Sequence, residues 1–285
     1  MLDVIQNALN LQAQQPSAVQ QTATGPNAWQ ILGVLGLGGI CTELLRVVIA
    51  FFKSRSDLQR TASKIVDARL DAILKSAEEL VSRINSLANT DFVEIRSPLV
   101  PETAKADEVV DPLSYYYLLL HFWASLELLR RETVSIDLSK DPRGERILAF
   151  ARALESKAVR IVHRHQQRAL AEIVMADGKT GGPSIVHFGE FIRRWKVDVP
   201  SRELLQLLMP PSTNSSWRRW RQSVLMYGVV MIAFINELDP GKHATRPHKV
   251  HLNKLTLKTK RSLRYAVFQR TLTFVREAKN YHGLR

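Results

Sequence analysis

The sequence predicts an all-α protein, with one N-terminal transmembrane helix followed by a multi-helix cytosolic bundle. Three observations carry this expectation. Apolar residues recur at spacings of three, four and seven over long stretches. Residues 28–52 are almost wholly apolar and are followed at once by Lys53, Arg55 and Arg60. No Lys or Arg precedes Arg46, so the basic flank lies on one side only, as in an anchor whose C-terminal side stays in the cytoplasm. A chain of 285 residues, 45% hydrophobic and 24% charged, has the composition of one or two folded domains rather than of a disordered chain. The single cysteine, Cys41, excludes an intramolecular disulfide framework and a Cys-based zinc site, and fits a reducing compartment.

Residues 1–27 hold one charge, Asp3, and six Gln, and read as a short polar tail. The apolar run starts late and no basic segment precedes it, so the pattern is not that of a secretory signal peptide. Nor is there a myristoylation or prenylation signal. Residues 28–52 read as the anchor. A span needs about 20 mostly apolar residues. Residues 28–42 supply fifteen without charge, and then Glu43 and Arg46 interrupt. An ion at mid-membrane costs roughly 3 kcal/mol. Glu43 and Arg46 are three apart, share a helix face and can pair, and Arg46 can snorkel towards the basic flank. Gly33, Gly36, Gly38 and Gly39 permit close packing in a membrane helix. Trp29 falls at one edge, where interfacial aromatics belong. The competing readings of this segment are a buried glycine-rich helix and a helix lying in the membrane surface. A spanning anchor puts the N-terminus outside and the C-terminal domain in the cytoplasm.

Residues 53–89 follow as a juxtamembrane amphipathic helix, with Leu58, Ile65, Leu70, Ile73, Leu74, Leu80, Val81, Ile84 and Leu87 on one face. Together with the anchor it offers a route to a homo-oligomer. Its irregular heptads favour one helix of a bundle over a coiled-coil stalk. Residues 90–112, with Pro98, Pro101 and Pro112, read as a linker with a short extended piece at 92–95. Residues 113–239 form the expected bundle domain. Its central helix is 113–131, whose uncharged part of fourteen residues is too short to span and suits a core helix. A long helix is expected over 145–175 and short ones over 188–195 and 203–209. A further helix starts near Trp217, capped by Ser215 and Ser216, with the apolar stretch 224–235 as its core. Residues 240–285 form a basic loop and a final cationic helix over 258–281.

Catalytic patterns are weak. Asp177-Gly178-Lys179-Thr180-Gly181-Gly182 lacks the first glycine of a phosphate loop and reads as a turn. No zinc-protease motif, nucleophile elbow or cofactor motif occurs. His163 and His165 stand two apart among arginines, which suits a solvated basic face better than a metal. His121, with Ser125 and Glu127, is the one cluster an enzyme could use, and a lone histidine on an apolar helix is more often a core residue. No catalytic, cofactor or metal site is therefore assigned, and the chain reads as non-enzymatic.

Charge is more informative. Residues 240–285 hold twelve Lys and Arg against one acid, Glu277, and so carry +11 of the net +13. Such a stretch attracts phosphates through counter-ion release. The segment Trp217-Arg218-Arg219-Trp220-Arg221 is a second basic site, unless the two tryptophans turn into the core. The expected contact residues are Arg218, Arg219, Arg221, Lys242, Arg246, Lys249, Lys254, Lys258, Lys260, Arg261 and Arg264. With an anchor present, the nearest polyanion is the anionic inner leaflet, worth about 1 kcal/mol per basic residue near the surface. The expected function is a membrane-anchored, non-enzymatic helical binding or scaffolding module contacting anionic lipid or an acidic protein partner. Two other classes compete: a multi-span effector or channel-like protein using 28–52, 113–129 and 224–235, and a soluble basic helical protein binding nucleic acid.

Overall fold

The structure, a computed structural model, describes residues 28–95, 106–178, 182–211 and 213–284, with side chains described from Arg46 onward except at 54 and 106–109. The protein is mostly helical, as expected. It divides into two units, Met1–Ser54 and Arg55–Arg285. The first long element, α1, is a single helix over Ala28–Asn89. The polar tail and most of the expected anchor lie outside the residues whose side chains are described. Among the described residues no helix is long and apolar enough to cross a membrane. Within the first unit, Val47, Val48, Ile49, Phe51 and Phe52 are all exposed.

In the second unit the core is built around α2 (Ala106–Glu132). Tyr115, Tyr116, Leu119, Leu120, Phe122, Trp123, Ala124 and Leu126 are all buried. A helix apolar on every side can only sit inside a bundle, which is the place expected for 113–131. Its helical neighbours are α4 (Arg164–Glu172) and α5 (Phe188–Val197). The indole of Trp123 donates to the Tyr227 hydroxyl at 2.8 Å, tying α2 to α7 (Asn214–Leu238), and both partners are buried. Residues 224–235 of α7 are buried throughout. Gly228 lets α1 approach, because a Cβ there would stand 2.9 Å from Cγ2 of the buried Ile84.

Local boundaries differ from the sequence reading in five places. α2 begins at Ala106, inside the stretch expected as linker. Pro112 is carried within the helix. Residues Val93–Ile95 form a 3-10 turn instead of an extended piece. Asp91 and Phe92 before it take φ of 52° and 64°. The fully buried Phe92 ring, edge-on to Trp220 at 6.0 Å, stabilises that left-handed backbone. The helix expected over 145–175 is two, α3 (Pro142–Glu155) and α4. Between them Ser156 is extended, and Val159 and Val162 turn into the core. The final helix is likewise broken into α8 (Leu257–Ser262), a π turn over Leu263–Phe268, and α9 (Ala278–His282). Thr271, Thr273 and Val275 are β-branched and resist helix, while Leu272 and Val275 are buried from the intervening turns. Lastly, two three-residue strands, β1 (Met175–Asp177) and β2 (Pro183–Ile185), pair antiparallel with Met175 opposite Ile185. The Gly178 N–H donates to the Gly182 carbonyl at 2.6 Å, and Lys179, Thr180 and Gly181 of the glycine-flanked segment lie outside the described residues. The helix α6 (Val199–Gln206) packs against α4 and α5.

Asp141 joins α3 to α1. Its carboxylate accepts from the N–H groups of Arg143 (2.8 Å) and Gly144 (3.2 Å), while the Arg143 guanidinium continues to Asp67 at 2.7 Å. Burial pushes this carboxyl up, but the bonds from the Arg143 side chain and from the two N–H groups outweigh it and bring it to about 2. Because that pKa is depressed, the stabilisation is fully present above about pH 4 and is lost as pH falls towards about 2. Asp141→Ala is expected to cost about 1–2 kcal/mol at neutral pH. Urea melts should show the gap between wild type and variant closing between pH 4 and pH 2.

Candidate anion-binding surface

The basic C-terminal region is built on α7 and on the chain that returns across it. In α7, Trp217 and Trp220 stand three apart and stack at 5.3 Å with 14° between planes. Trp217 is buried, and Trp220 packs edge-on against Phe92 and Tyr115. The tryptophans thus face the core, the alternative weighed for this segment. Helical spacing then sends Arg218 and Arg219 outward, and both are exposed.

The return begins at Asp239, the C-terminal cap position of α7. Its buried carboxylate accepts from the N–H groups of His243 (2.9 Å), Ala244 (3.0 Å) and Thr245 (2.9 Å) and from the Thr245 hydroxyl (2.8 Å). Burial pushes the carboxyl up, and these four bonds together hold it below the usual range. The loop continues to Lys254, whose ammonium donates to the Ala88 carbonyl and to Asp91 at the end of α1. That bond holds Asp91 below its ordinary pKa.

The expected contact residues therefore divide. Lys254 and Arg221 share Asp91, the latter at 3.6 Å. Lys242 donates to the Asn236 side chain, whose amide in turn donates to Tyr281 at 2.8 Å. Arg264 lies over the Tyr265 ring at 5.3 Å. Lys254, Arg221 and Lys242 thus tie separate parts of the fold together, whereas Arg264 stacks on its own chain neighbour. Arg246 joins Glu78 through its backbone N–H at 3.0 Å, and its side chain is exposed. Arg218, Arg219, Lys249, Lys258 and Arg261 are also exposed, and Lys260 is half-buried. Among the described residues none of these last seven side chains has a carboxylate within 4 Å.

Between α7 and α8 the surface opens into a cleft of about 370 Å³. Gln222 binds its two walls: its amide N–H donates to the Lys254 carbonyl (2.9 Å), and its oxygen accepts from the Thr256 N–H (2.8 Å) and the Thr259 hydroxyl (2.9 Å). Arg218 and Arg219 line one side and Lys258 and Ser262 the other, with Ala158 and Met226 as apolar lining, and among the described residues no carboxylate lines it. Sequence reasoning named the cations but not this grouping, since nothing in the spacing brings residue 218 beside residue 258.

The residues weighed for catalysis are dispersed. Ser125 donates back to the His121 carbonyl at 2.9 Å, Glu127 pairs with Arg130 and Arg131, and His121 stacks on Tyr117 with ring centroids 5.5 Å apart. His163 and His165 stack on each other at 5.4 Å. Comparison with protein-family models, with curated proteins and with solved structures finds no match to this chain.

Proposed function

We propose that this chain is a membrane-anchored helical binding module, held by its N-terminal helix, with its C-terminal domain on the cytoplasmic side meeting anionic lipid. One observation carries the membrane part. Val47, Val48, Ile49, Phe51 and Phe52 are between 46% and 64% exposed. At 100° per residue these five positions spread over an arc of about 200°, with Arg46 and Lys53 in the remaining sector, and an exposed apolar face that broad calls for an apolar surround. Lys53, Arg55 and Arg60 follow, the sequence in which a cytoplasmic flank leaves a membrane. The cations free of carboxylates in the C-terminal region supply the sign that an anionic leaflet attracts.

The test is flotation of the full chain with vesicles. Wild type should float with anionic vesicles, and the part of binding due to charge should fall steeply with salt. Phe51→Ser with Phe52→Ser should lower partitioning by at least about tenfold, since each buried Phe is worth roughly 1.5–3 kcal/mol. A variant that floats like wild type removes the apolar segment from the account. Tighter binding to duplex nucleic acid than to vesicles at matched salt replaces it with the nucleic-acid reading.

A further inference from the structure

The cleft between α7 and α8 has the chemistry of a phosphate site, and we propose that it binds a phosphomonoester, a group carrying close to two negative charges. This rests on the cationic-surface reading and narrows it to one ligand class. Arg218, Arg219 and Lys258 bring three positive charges to a cleft that, among the described residues, no carboxylate lines. A phosphodiester carries one charge at neutral pH, whereas a monoester carries about 1.5–2 and offers three acceptor oxygens. Three cations match the monoester better. Adjacent arginines supply planar forks for bidentate contact with phosphate oxygens, the lysine a point charge from the facing wall. Ser262 adds a hydroxyl at the rim.

The cleft is held open before any ligand arrives. Gln222 makes three hydrogen bonds across the two walls, and the Thr256 and Thr259 hydroxyls meet at 2.9 Å. A site whose walls are already fixed loses less entropy on binding. Its volume of about 370 Å³ lies at the small-molecule end of ligand sites. Met226 and Ala158 give an apolar surface to the organic part of the ester. A lipid headgroup bearing a terminal phosphate and a small soluble phosphate ester share this chemistry.

The experiment compares the full chain on vesicles containing phosphatidic acid, a monoester, with vesicles containing phosphatidylglycerol, a diester, at equal surface charge. In parallel the chain in detergent is titrated with glycerol 3-phosphate. The cleft variant is Arg218→Gln, Arg219→Gln, Lys258→Gln. The charge-matched control is Arg246→Gln, Lys249→Gln, Arg261→Gln, three exposed cations of the same region that do not line the cleft. Wild type should favour the monoester by about tenfold, a modest return for charge-assisted bonds. The cleft variant should lose that preference, and the control should weaken both vesicles alike while keeping it. A headgroup source shows as the vesicle preference. A soluble source shows as glycerol 3-phosphate binding that the cleft variant alone loses, even where neither vesicle is bound and the membrane reading fails. Equal vesicle binding without glycerol 3-phosphate binding overturns the cleft and leaves the membrane reading standing. A preference that survives in the cleft variant, or that the control abolishes equally, overturns it too.

Discussion

Phe234→Ala should bring the helical domain close to unfolding at room temperature, with a loss of about 3–5 kcal/mol. Phe234 is 1% exposed and meets Phe122 of α2 and Phe150 of α3 edge-on, at 6.0 Å and 5.4 Å. Phe150 in turn meets Phe274 at 5.6 Å, so one aromatic chain joins α2, α3, α7 and the C-terminal turns. Truncation removes the apolar burial and two edge-to-face contacts at once. Domains of this kind hold about 5–15 kcal/mol in total, so the variant should melt at much lower urea. Phe234→Leu, which keeps most of the volume, should lose clearly less. A Phe234→Ala loss below about 1 kcal/mol would show that the site collapses freely and that the aromatic chain does not organise the core.

Asp239→Ala is expected to cost about 3 kcal/mol. The carboxylate is 5% exposed and satisfies three backbone N–H groups and one hydroxyl. Its removal leaves those donors without a partner where the chain turns back over α7, and buried unpaired donors are more costly than the bond itself is favourable. The carboxyl is held below its ordinary pKa, so its stabilisation is present above about pH 4 and is lost as pH falls below that. Melts of wild type and variant should therefore converge in acid. Amide exchange should show residues 240–246 opening in the variant at neutral pH. If the amides of His243, Ala244 and Thr245 stay protected there, something other than Asp239 shapes the loop.

Much of the helical layout was legible because apolar spacing reports burial directly. The core role of 113–131 followed from a run too short to span, and the Ile73-to-Leu87 face of α1 from its periodicity. The breaks were harder. Ser156 looks like any polar residue of a helix, and only Val159 and Val162 turning inward show why the chain leaves the helix there. Pro112 marks a boundary by its missing N–H, yet α2 begins earlier, at Ala106, and carries the proline inside. At the candidate site, the excess of cations was plain in the sequence, but their division into structural and outward-facing groups was not. Lys254 and Arg221 are fixed by Asp91, more than a hundred residues away in the chain. The Asp239 loop carried a local signal, since Asp followed by Pro and Gly favours a turn closed on its own side chain.

Hydrogen exchange of the full chain with and without anionic vesicles tests the central claim most directly, because it locates lipid contact by residue. The expected result is strong new protection over residues 46–53, together with slower exchange around Arg218–Ser223 and Thr256–Ser262 that salt reverses. An unchanged exchange pattern over residues 46–53 in the presence of vesicles would contradict membrane anchoring through the N-terminal helix.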